Sequence, residues 1–234
     1  MTEFRIGTSG YNYFWNEGKP SQFKWYLSQK FNSVEINATF YSFPYKSWIK
    51  SWSSAPHDFD FSIKVNRIIT HYSKLSEKAV AIYEKFRNAF KEIEEKIAFW
   101  LFQMPPSFEF SETNLKRIKQ FFSALDIPAV IEFRDPSWWN ETTLKVLREL
   151  NVLFCSVDAP ELPRDIVEIN KMIYLRLHGR EEWYSYEYKR EELDEIIEKI
   201  KQISPLKCYI YLNNDHGMLP YGLYLLKKLG LIDI

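Results

Sequence analysis

Eight short apolar segments recur along this 234-residue chain, and stretches with helical periodicity separate most of them. Strands that alternate with helical crossovers pair in parallel, and eight parallel strands are the number that closes a TIM barrel. The predicted strands lie at residues 4–9, 33–37, 59–65, 97–103, 129–134, 152–158, 173–178 and 207–213. The sequence therefore predicts one α/β domain over residues 1–234, a TIM-type barrel of usual length.

Three of the connecting segments have apolar residues spaced three and four apart, which is typical of amphipathic helices. They are residues 76–95, 115–125 and 189–203, and Ser76 is predicted to cap the first of them. Residues 159–172, between the sixth and seventh strands, have turn-like charged pairs and a poor helical pattern. The helix at that crossover is predicted to be short or absent.

Apolar and polar side chains alternate along the predicted strands, so each strand has two different faces. In the third strand, Phe61 and Ile63 share one face, and Ser62 and Lys64 share the other. The apolar face must pack against the helices, so the polar face is expected to point into the barrel. The last inward positions of the eight strands are then Ser9, Asn37, Lys64, Gln103, Arg134, Asp158, His178 and Asn213. One position earlier on the same face lie Glu35, Glu132 and Arg176.

These polar residues converge at the carboxyl-terminal ends of the strands, where the active sites of TIM barrels lie. A pocket that holds both acids and bases suits a polar ligand. Glu35 and Glu132 are predicted to be a general acid/base pair, because unequal surroundings can separate the pKa values of two carboxyls. Lys64 is predicted to be a nucleophile or an anion clamp, and His178 a second group for proton transfer. These four are the predicted catalytic residues.

The remaining polar positions are predicted to bind the ligand. Arg134 and Arg176 have planar guanidinium groups that match a carboxylate or a phosphate. Tyr41 and Trp138 follow strands, where aromatic rings can stack on a sugar or a base. The full predicted ligand-binding set is Ser9, Asn37, Tyr41, Gln103, Arg134, Trp138, Asp158, Arg176 and Asn213. The alternative for the charged residues is an internal network of ion pairs without a ligand.

Metal and cofactor sites are less strongly indicated. Glu35, Glu132, Asp158 and His178 would be the ligands of a divalent metal, although three nearby cations would oppose its binding. The chain has no P-loop, no Gly-rich phosphate loop and no zinc-type spacing. A nucleotide cofactor is therefore not predicted, a divalent metal is not favoured, and the identity of any cofactor stays open.

Charge and hydropathy narrow the partners and the location. The 31 Lys and Arg residues balance 31 Asp and Glu residues, so no global charge attracts nucleic acid or an anionic membrane. A local basic patch is compatible with this balance, but a small polar or anionic molecule is the predicted partner. No apolar run approaches the roughly 20 residues of a membrane span, and a strand begins almost at once, without a signal peptide. A cytoplasmic protein is expected.

Seven stretches of the chain form a recognisable series. They are IGTSGYNY (6–13), FNSVEINATFY (31–41), FSIKVNRIITH (61–71), LFQMPPSF (101–108), IEFRDPSWW (131–139), YLRLHGR (174–180) and YIYLNN (209–214). In this order the series resembles the DUF72 family, also called YecE-like. The resemblance implies a TIM barrel and no established activity, and it places the predicted strand-end residues among the family's signature positions. Two residues depart from the family pattern, since Tyr11 replaces a usual Trp and Asp135 a usual His.

Three functions are consistent with these observations. The first is an enzyme that acts by acid/base chemistry on a sugar, a sugar phosphate or a nucleotide, with the reaction class open among hydrolase, isomerase and lyase. The second is a nucleic-acid-binding barrel or a metal-dependent hydrolase similar in outline to endonuclease IV. The third is a module that binds a metabolite without converting it.

Overall fold

Eight parallel strands form the centre of the computed structural model, which describes residues 2–233. The strands are β1 (Glu3–Thr8), β2 (Ser33–Ile36), β3 (Asp60–Lys64), β4 (Ile97–Gln103), β5 (Ala129–Glu132), β6 (Val152–Asp158), β7 (Met172–Leu177) and β8 (Lys207–Leu212). Each predicted strand is present, and its ends differ from the prediction by two residues at most. The eight-stranded α/β barrel is confirmed.

The strands form one sheet in the order β1-β8-β7-β6-β5-β4-β3-β2, and an isolated parallel bridge between Ser9 and Glu35 links its two edges. Gly7 lies at this junction of β1 and β2. A Cβ atom on Gly7 would lie 2.4 Å from the carbonyl oxygen of Ser33, which is too close for any side chain. The glycine therefore allows the two edge strands to approach and the barrel to close.

Seven α-helices surround the strands. They are α1 (Gln22–Ser28), α2 (Lys46–Ser53), α3 (Glu77–Asn88), α4 (Glu112–Ser123), α5 (Glu141–Glu149), α6 (Arg190–Ile203) and α7 (Met218–Lys228). Residues 159–171, which connect β6 to β7 and are fully described, contain no helix, as predicted. Elsewhere in residues 2–233, one α-helix follows each strand. None of these helices has the length and apolar character needed to span a bilayer.

The predicted helix over residues 76–95 is wrong at its C-terminal end. Helix α3 ends at Asn88, and a separate 3-10 helix covers Lys91–Lys96. Phe90 and Ile93 are both buried, so their spacing imitates a continued helix although the chain has already turned. Ser76 occupies the N-cap position of α3, but its side chain makes no capping hydrogen bond.

Polar side chains fill the inside of the barrel, as the strand alternation predicts. Inside the barrel, the hydroxyl of Tyr174 lies 2.6 Å from Ser62 Oγ, and that of Tyr211 lies 2.5 Å from Ser33 Oγ. All four side chains are fully buried. Because a buried hydroxyl needs a hydrogen-bond partner, these pairs stabilise a barrel interior that is not apolar. Large aromatic residues pack instead between the strands and the helices, where rings such as those of Trp52 and Phe90 stack.

Candidate functional site

A buried arginine holds two buried glutamates at the carboxyl-terminal end of the barrel, here called the mouth. Arg176 Nε and Nη2 donate to Glu35 Oε1 over 3.1 and 2.7 Å, and Arg176 Nη1 donates to Glu132 Oε2 over 2.5 Å. None of the three side chains has exposed surface. Charges so deeply buried are stable only when paired with good geometry, so Arg176 is the countercharge of both carboxylates.

The remaining oxygens of both glutamates are also occupied. Ser9 Oγ donates to Glu35 Oε1 over 2.9 Å, and the Tyr174 hydroxyl donates to Glu35 Oε2 over 2.7 Å. Arg134 Nε donates to Glu132 Oε1. Burial alone would raise the pKa of Glu132, but Arg134 and Arg176 hold that pKa well below its ordinary value. We call Glu35, Glu132, Arg134 and Arg176 the central ion cluster.

This geometry differs from the predicted acid/base pair. A general acid or base must reach the proton that it transfers, whereas both glutamates are enclosed and donors already occupy their oxygens. Arg176 is likewise enclosed, so the structure makes it a partner of the glutamates rather than a contact for a ligand. The structure brings the predicted residues together, but their opposite charges mainly pair with one another.

His178 lies directly above this cluster and is fully buried. Its Nε2 is 3.3 Å from Arg176 Nη1 and 3.5 Å from Arg134 Nη2, and its Nδ1 is 3.1 Å from Asn213 Nδ2. Burial and the charge of Arg176 lower the pKa of His178 to about 3. The imidazole is therefore neutral at physiological pH, which makes it a poor proton acceptor and a positioning group for Arg134 and Asn213.

Lys64, the last residue of β3, has a different environment. Its Nζ lies 4.5 Å from the ring centroid of Phe40, and it forms no ion pair with a carboxylate of residues 2–233. Burial and the charge of Arg176 lower the pKa of Lys64 to about 7, although Glu132 and Glu35 oppose this shift. An amine with this pKa exists in both protonation states at neutral pH, as proton transfer requires.

Arg134 is the other cation of the mouth that keeps some exposed surface. Its guanidinium carbon lies 4.5 Å from the ring centroid of Trp183, and its side chain is 10% exposed. Only its Nε is used by Glu132, so the far edge of the guanidinium can meet a planar anion. Lys64 and Arg134 thus place two cationic groups at the mouth.

A cavity of about 290 Å³ adjoins the mouth, where β1, β2 and α2 meet. Ser9, Tyr13, Asn37, Trp48 and Trp52 are among its lining residues. Asn37 Nδ2 donates to the carbonyl oxygen of Ser9 over 3.3 Å, while its Oδ1 is buried without a protein partner. A buried acceptor without a donor is costly, so this oxygen is available to a hydrogen-bond donor from outside the chain.

Two predicted ligand-binding residues lie elsewhere. Trp138 is fully buried and stacks on Phe133 at 4.2 Å, and its Nε1 donates to the carbonyl oxygen of Phe108 over 2.6 Å. Its prediction as a ligand contact is wrong, because the short 3-10 helix Pro136–Trp138 turns the indole into the barrel wall. Asp158 pairs with Arg180 over 3.1 Å, beside α6, and has no contact with the central ion cluster.

The alternative metal set is not assembled, because Glu35 and Glu132 bind Arg176 and Asp158 binds Arg180. No three His, Cys, Asp or Glu groups of residues 2–233 form a set that could hold a metal ion.

The other predicted residues lie around the mouth. Gln103 and Asn213 are each 9% exposed at its edge, and Ser9 is buried beneath Glu35. Tyr41 lies outside the mouth, with 68% of its surface exposed. Phe40, under Lys64, and Trp183, on Arg134, complete the site although they are outside the predicted set. Their position after strands is the sequence signal for such residues, but which cation each ring contacts depends on the path of the loop.

Comparisons with known proteins agree with this fold. Residues 5–223 match the family model described as "Protein of unknown function DUF72". The UPF0759 protein YunF of Bacillus subtilis is 25% identical, over 81% of this chain and 79% of that protein. A DUF72 family protein of Thermotoga maritima is 26% identical, with a TM-score of 0.84, over 98% of this chain and 100% of that chain. The structure of SacUVDE, with 11% identity and a TM-score of 0.54 over 99% of this chain and 100% of that chain, is similar in fold alone.

Proposed function

The chain belongs to the DUF72 family, whose description assigns no activity, and from the geometry of the mouth we propose that it is an enzyme acting on a small polar substrate with an anionic group, with Lys64 as the proton-transfer group. The observation that carries this proposal is the absence of a carboxylate partner for Lys64 within residues 2–233. The four charges of the central ion cluster cancel, so the positive charge of a protonated Lys64 is left for a ligand.

The parts of the mouth support this chemistry in different ways. The anionic group of the substrate would lie between Lys64 and the free edge of Arg134, which Trp183 holds by stacking. A donor on the rest of the substrate would satisfy Asn37 Oδ1 at the adjoining cavity. Glu35, Glu132 and Arg176 would position Arg134 and would also set the potential that Lys64 experiences. Their burial makes this arrangement rigid before the substrate binds.

We expect trinitrobenzenesulfonate to modify Lys64 with a half-maximal rate near pH 7, because only a neutral amine attacks the reagent and the pKa of Lys64 is about 7. A lysine with the ordinary pKa of about 10.4 is roughly 0.04% neutral at pH 7. About half of Lys64 is neutral at this pH, roughly 1,000 times the neutral fraction of an ordinary lysine, so even with access restricted by burial it should react about 100-fold faster than the exposed Lys46. The measurement is peptide mass spectrometry of the labelled protein as a function of pH and time.

The controls for this experiment are a Lys64→Met variant, which should lose the fast phase, and a Lys46→Met variant, which should keep it. Inorganic phosphate at saturation should slow the labelling of Lys64 about tenfold by occupying the anion site and raising the amine pKa. If Lys64 reacts no faster than Lys46, its role in proton transfer is wrong. If labelling is fast but phosphate gives no protection, the anion site is wrong.

Turnover distinguishes an enzyme from a module that only binds. A panel of sugar phosphates and hydroxy acids would be incubated with the protein in D₂O, and proton NMR would detect consumption or deuterium incorporation. A substrate found in this way should be converted about 100- to 10,000-fold more slowly by Lys64→Met and at the unchanged rate by Lys46→Met. Equal conversion by both variants would contradict the assignment of Lys64. Phosphate protection without conversion of any compound would favour the binding module over the enzyme.

A further inference from the structure

Exposed aromatic residues are concentrated at the mouth end of the barrel. Within residues 2–233, six of the eight exposed large apolar side chains follow the carboxyl-terminal end of a strand. These six are Phe14, Tyr41, Tyr45, Ile68, Tyr72 and Tyr184. Tyr41 and Tyr72 are 68% and 69% exposed, although rings of this size are usually covered in a monomer. Such a concentration indicates a surface that meets a partner.

The segments after β2 and β3 carry the densest part of this surface. Arg67 lies between two of its rings, with its guanidinium carbon 5.6 Å from the centroid of Tyr41 and 5.7 Å from that of Tyr72. Tyr45 is 60% exposed, and the exposed Lys46 follows it at the start of α2. We call Tyr41, Tyr45, Lys46, Arg67 and Tyr72 the β2–β3 rim.

The charge of these segments contrasts with the neutral chain. Residues 36–57 and 64–76 contain no Asp or Glu, whereas the whole chain has 31 acidic and 31 basic residues. Their cations are Lys46, Lys50, Lys64, Arg67 and Lys74. None of these five takes part in the ion pairs found within residues 2–233. The local basic patch that a balanced sequence can conceal is therefore present on one side of the mouth.

The β2–β3 rim is also continuous with the mouth. Lys64 Nζ lies on the ring of Phe40, whose centroid is 5.1 Å from that of Tyr41, and Tyr41 contacts Arg67. From the interior to the outer surface the path therefore runs from Lys64 over two adjacent rings to Arg67 and then to the ring of Tyr72. A ligand that follows this path must offer both planar groups and negative charges.

We propose that the β2–β3 rim binds single-stranded nucleic acid, with bases stacked on Tyr41 and Tyr72 and phosphates paired with Lys46 and Arg67. Unpaired bases expose the ring faces that aromatic side chains stack on, and each nucleotide carries one phosphate. A neutral carbohydrate would use the rings and leave the cations unpaired. A duplex hides its base faces, so it should bind more weakly than a single strand. The rim adjoins the mouth, but this binding assigns no role to Lys64, so the inference goes beyond the proposed function.

The test is fluorescence anisotropy with a fluorescein-labelled oligo-dT of about 20 nucleotides. Binding should weaken with salt with a logarithmic slope of about −1.4, since each phosphate contact to a single strand contributes about −0.7 and two cations, Lys46 and Arg67, pair with phosphates. Tyr41→Ala and Tyr72→Ala should each weaken binding roughly 5- to 100-fold. Leu206→Ala is the matched control, because Leu206 is 69% exposed at the opposite end of the barrel. It should leave the affinity unchanged.

Charge is tested separately from stacking. Arg67→Glu should weaken binding and make the salt slope smaller by about 0.7 or more, whereas Lys119→Glu, on the exposed outer face of α4, should change neither. Tyr41, Tyr72, Leu206 and Lys119 are exposed and Arg67 is partly exposed, and circular dichroism checks that each variant stays folded.

Several outcomes would overturn the proposal. The first is no binding of the oligonucleotide at low salt, and the second is an affinity that substitutions of Tyr41, Tyr72 and Arg67 leave unchanged. The third is salt-independent binding of a neutral polysaccharide in place of the oligonucleotide. Preferential binding to phosphatidylglycerol vesicles would overturn it too. Labelling of Lys64 should be normal in Tyr72→Ala, so failure of this inference is distinguishable from failure of the proposed function.

Discussion

An Arg176→Met variant is expected to lose about 3–5 kcal/mol of the free energy of unfolding, because it leaves two buried carboxylates without their shared cation. Glu35 would keep only the hydroxyl donors of Ser9 and Tyr174, and Glu132 would keep Arg134. The free energy of unfolding of an ordinary domain is about 5–15 kcal/mol, so this loss is a large share of that free energy. Urea unfolding followed by circular dichroism measures it directly.

Two further variants test whether charge is the cause. Arg180→Met removes a cation whose side chain is 18% exposed, and it should cost less, about 1–2 kcal/mol. Of its three carboxylate partners only Asp158 is nearly buried, at 6% exposure, whereas Glu192 and Glu195 are 17% and 47% exposed and water can solvate them. Adding Glu35→Gln to Arg176→Met removes one of the stranded charges and should restore part of the lost stability. A double variant no more stable than Arg176→Met would show that lost packing, not unpaired charge, explains the effect. The double variant also keeps the test open if the single one does not fold.

A Trp138→Ala variant is expected to lose about 3–5 kcal/mol of the free energy of unfolding, because the indole is a fully buried part of the barrel wall. It stacks on Phe133 and Phe108 and donates a hydrogen bond to a main-chain carbonyl, so its loss leaves both a cavity and an unpaired acceptor. The same urea experiment applies. The rate of Lys64 labelling in the folded fraction should change less than twofold, since Trp138 does not contact the mouth.

Trp183→Ala is the matched control for this prediction. Trp183 is half-buried and stacks on Arg134 and beside His178. Its removal should cost under about 1.5 kcal/mol of stability, since a partly exposed ring loses less contact area on truncation. It should instead weaken the phosphate protection of Lys64, because Arg134 loses the ring that holds it. The reverse pattern, with Trp138 affecting phosphate and Trp183 affecting stability, would contradict both assignments.

Most of the fold was predictable from the sequence because strand patterning is a local property. The eight strands and the missing helix between β6 and β7 follow from apolar runs and their spacing. Where the prediction was wrong, buried residues on either side of a turn had a helical spacing by coincidence, as Phe90 and Ile93 do after α3. Periodicity reports which residues are buried, but the chain can bury them through more than one backbone path.

The sequence predicted which residues converge at the candidate site better than it predicted what each of those residues contacts there. Glu35, Glu132, Arg176 and His178 do converge, because the inward positions of parallel strands must meet inside a barrel. Their distances, however, depend on strand stagger and side-chain rotamers, which no single segment encodes. Trp138 and Asp158 lie at or after the ends of strands as the residues of the mouth do, yet the indole of Trp138 enters the barrel wall and the carboxylate of Asp158 pairs with Arg180.

A barrel with a polar interior follows from the amino-acid sequence, since side-chain alternation and eight repeats of the strand pattern are local properties of the chain. The pairing of the charges depends on the three-dimensional arrangement of the strands. Arg176 neutralises both glutamates and Lys64 keeps no carboxylate, because pairing energy depends on distance and burial. The polar mouth that the sequence outlined thus has one amine without a carboxylate partner and one guanidinium that is only partly used by Glu132.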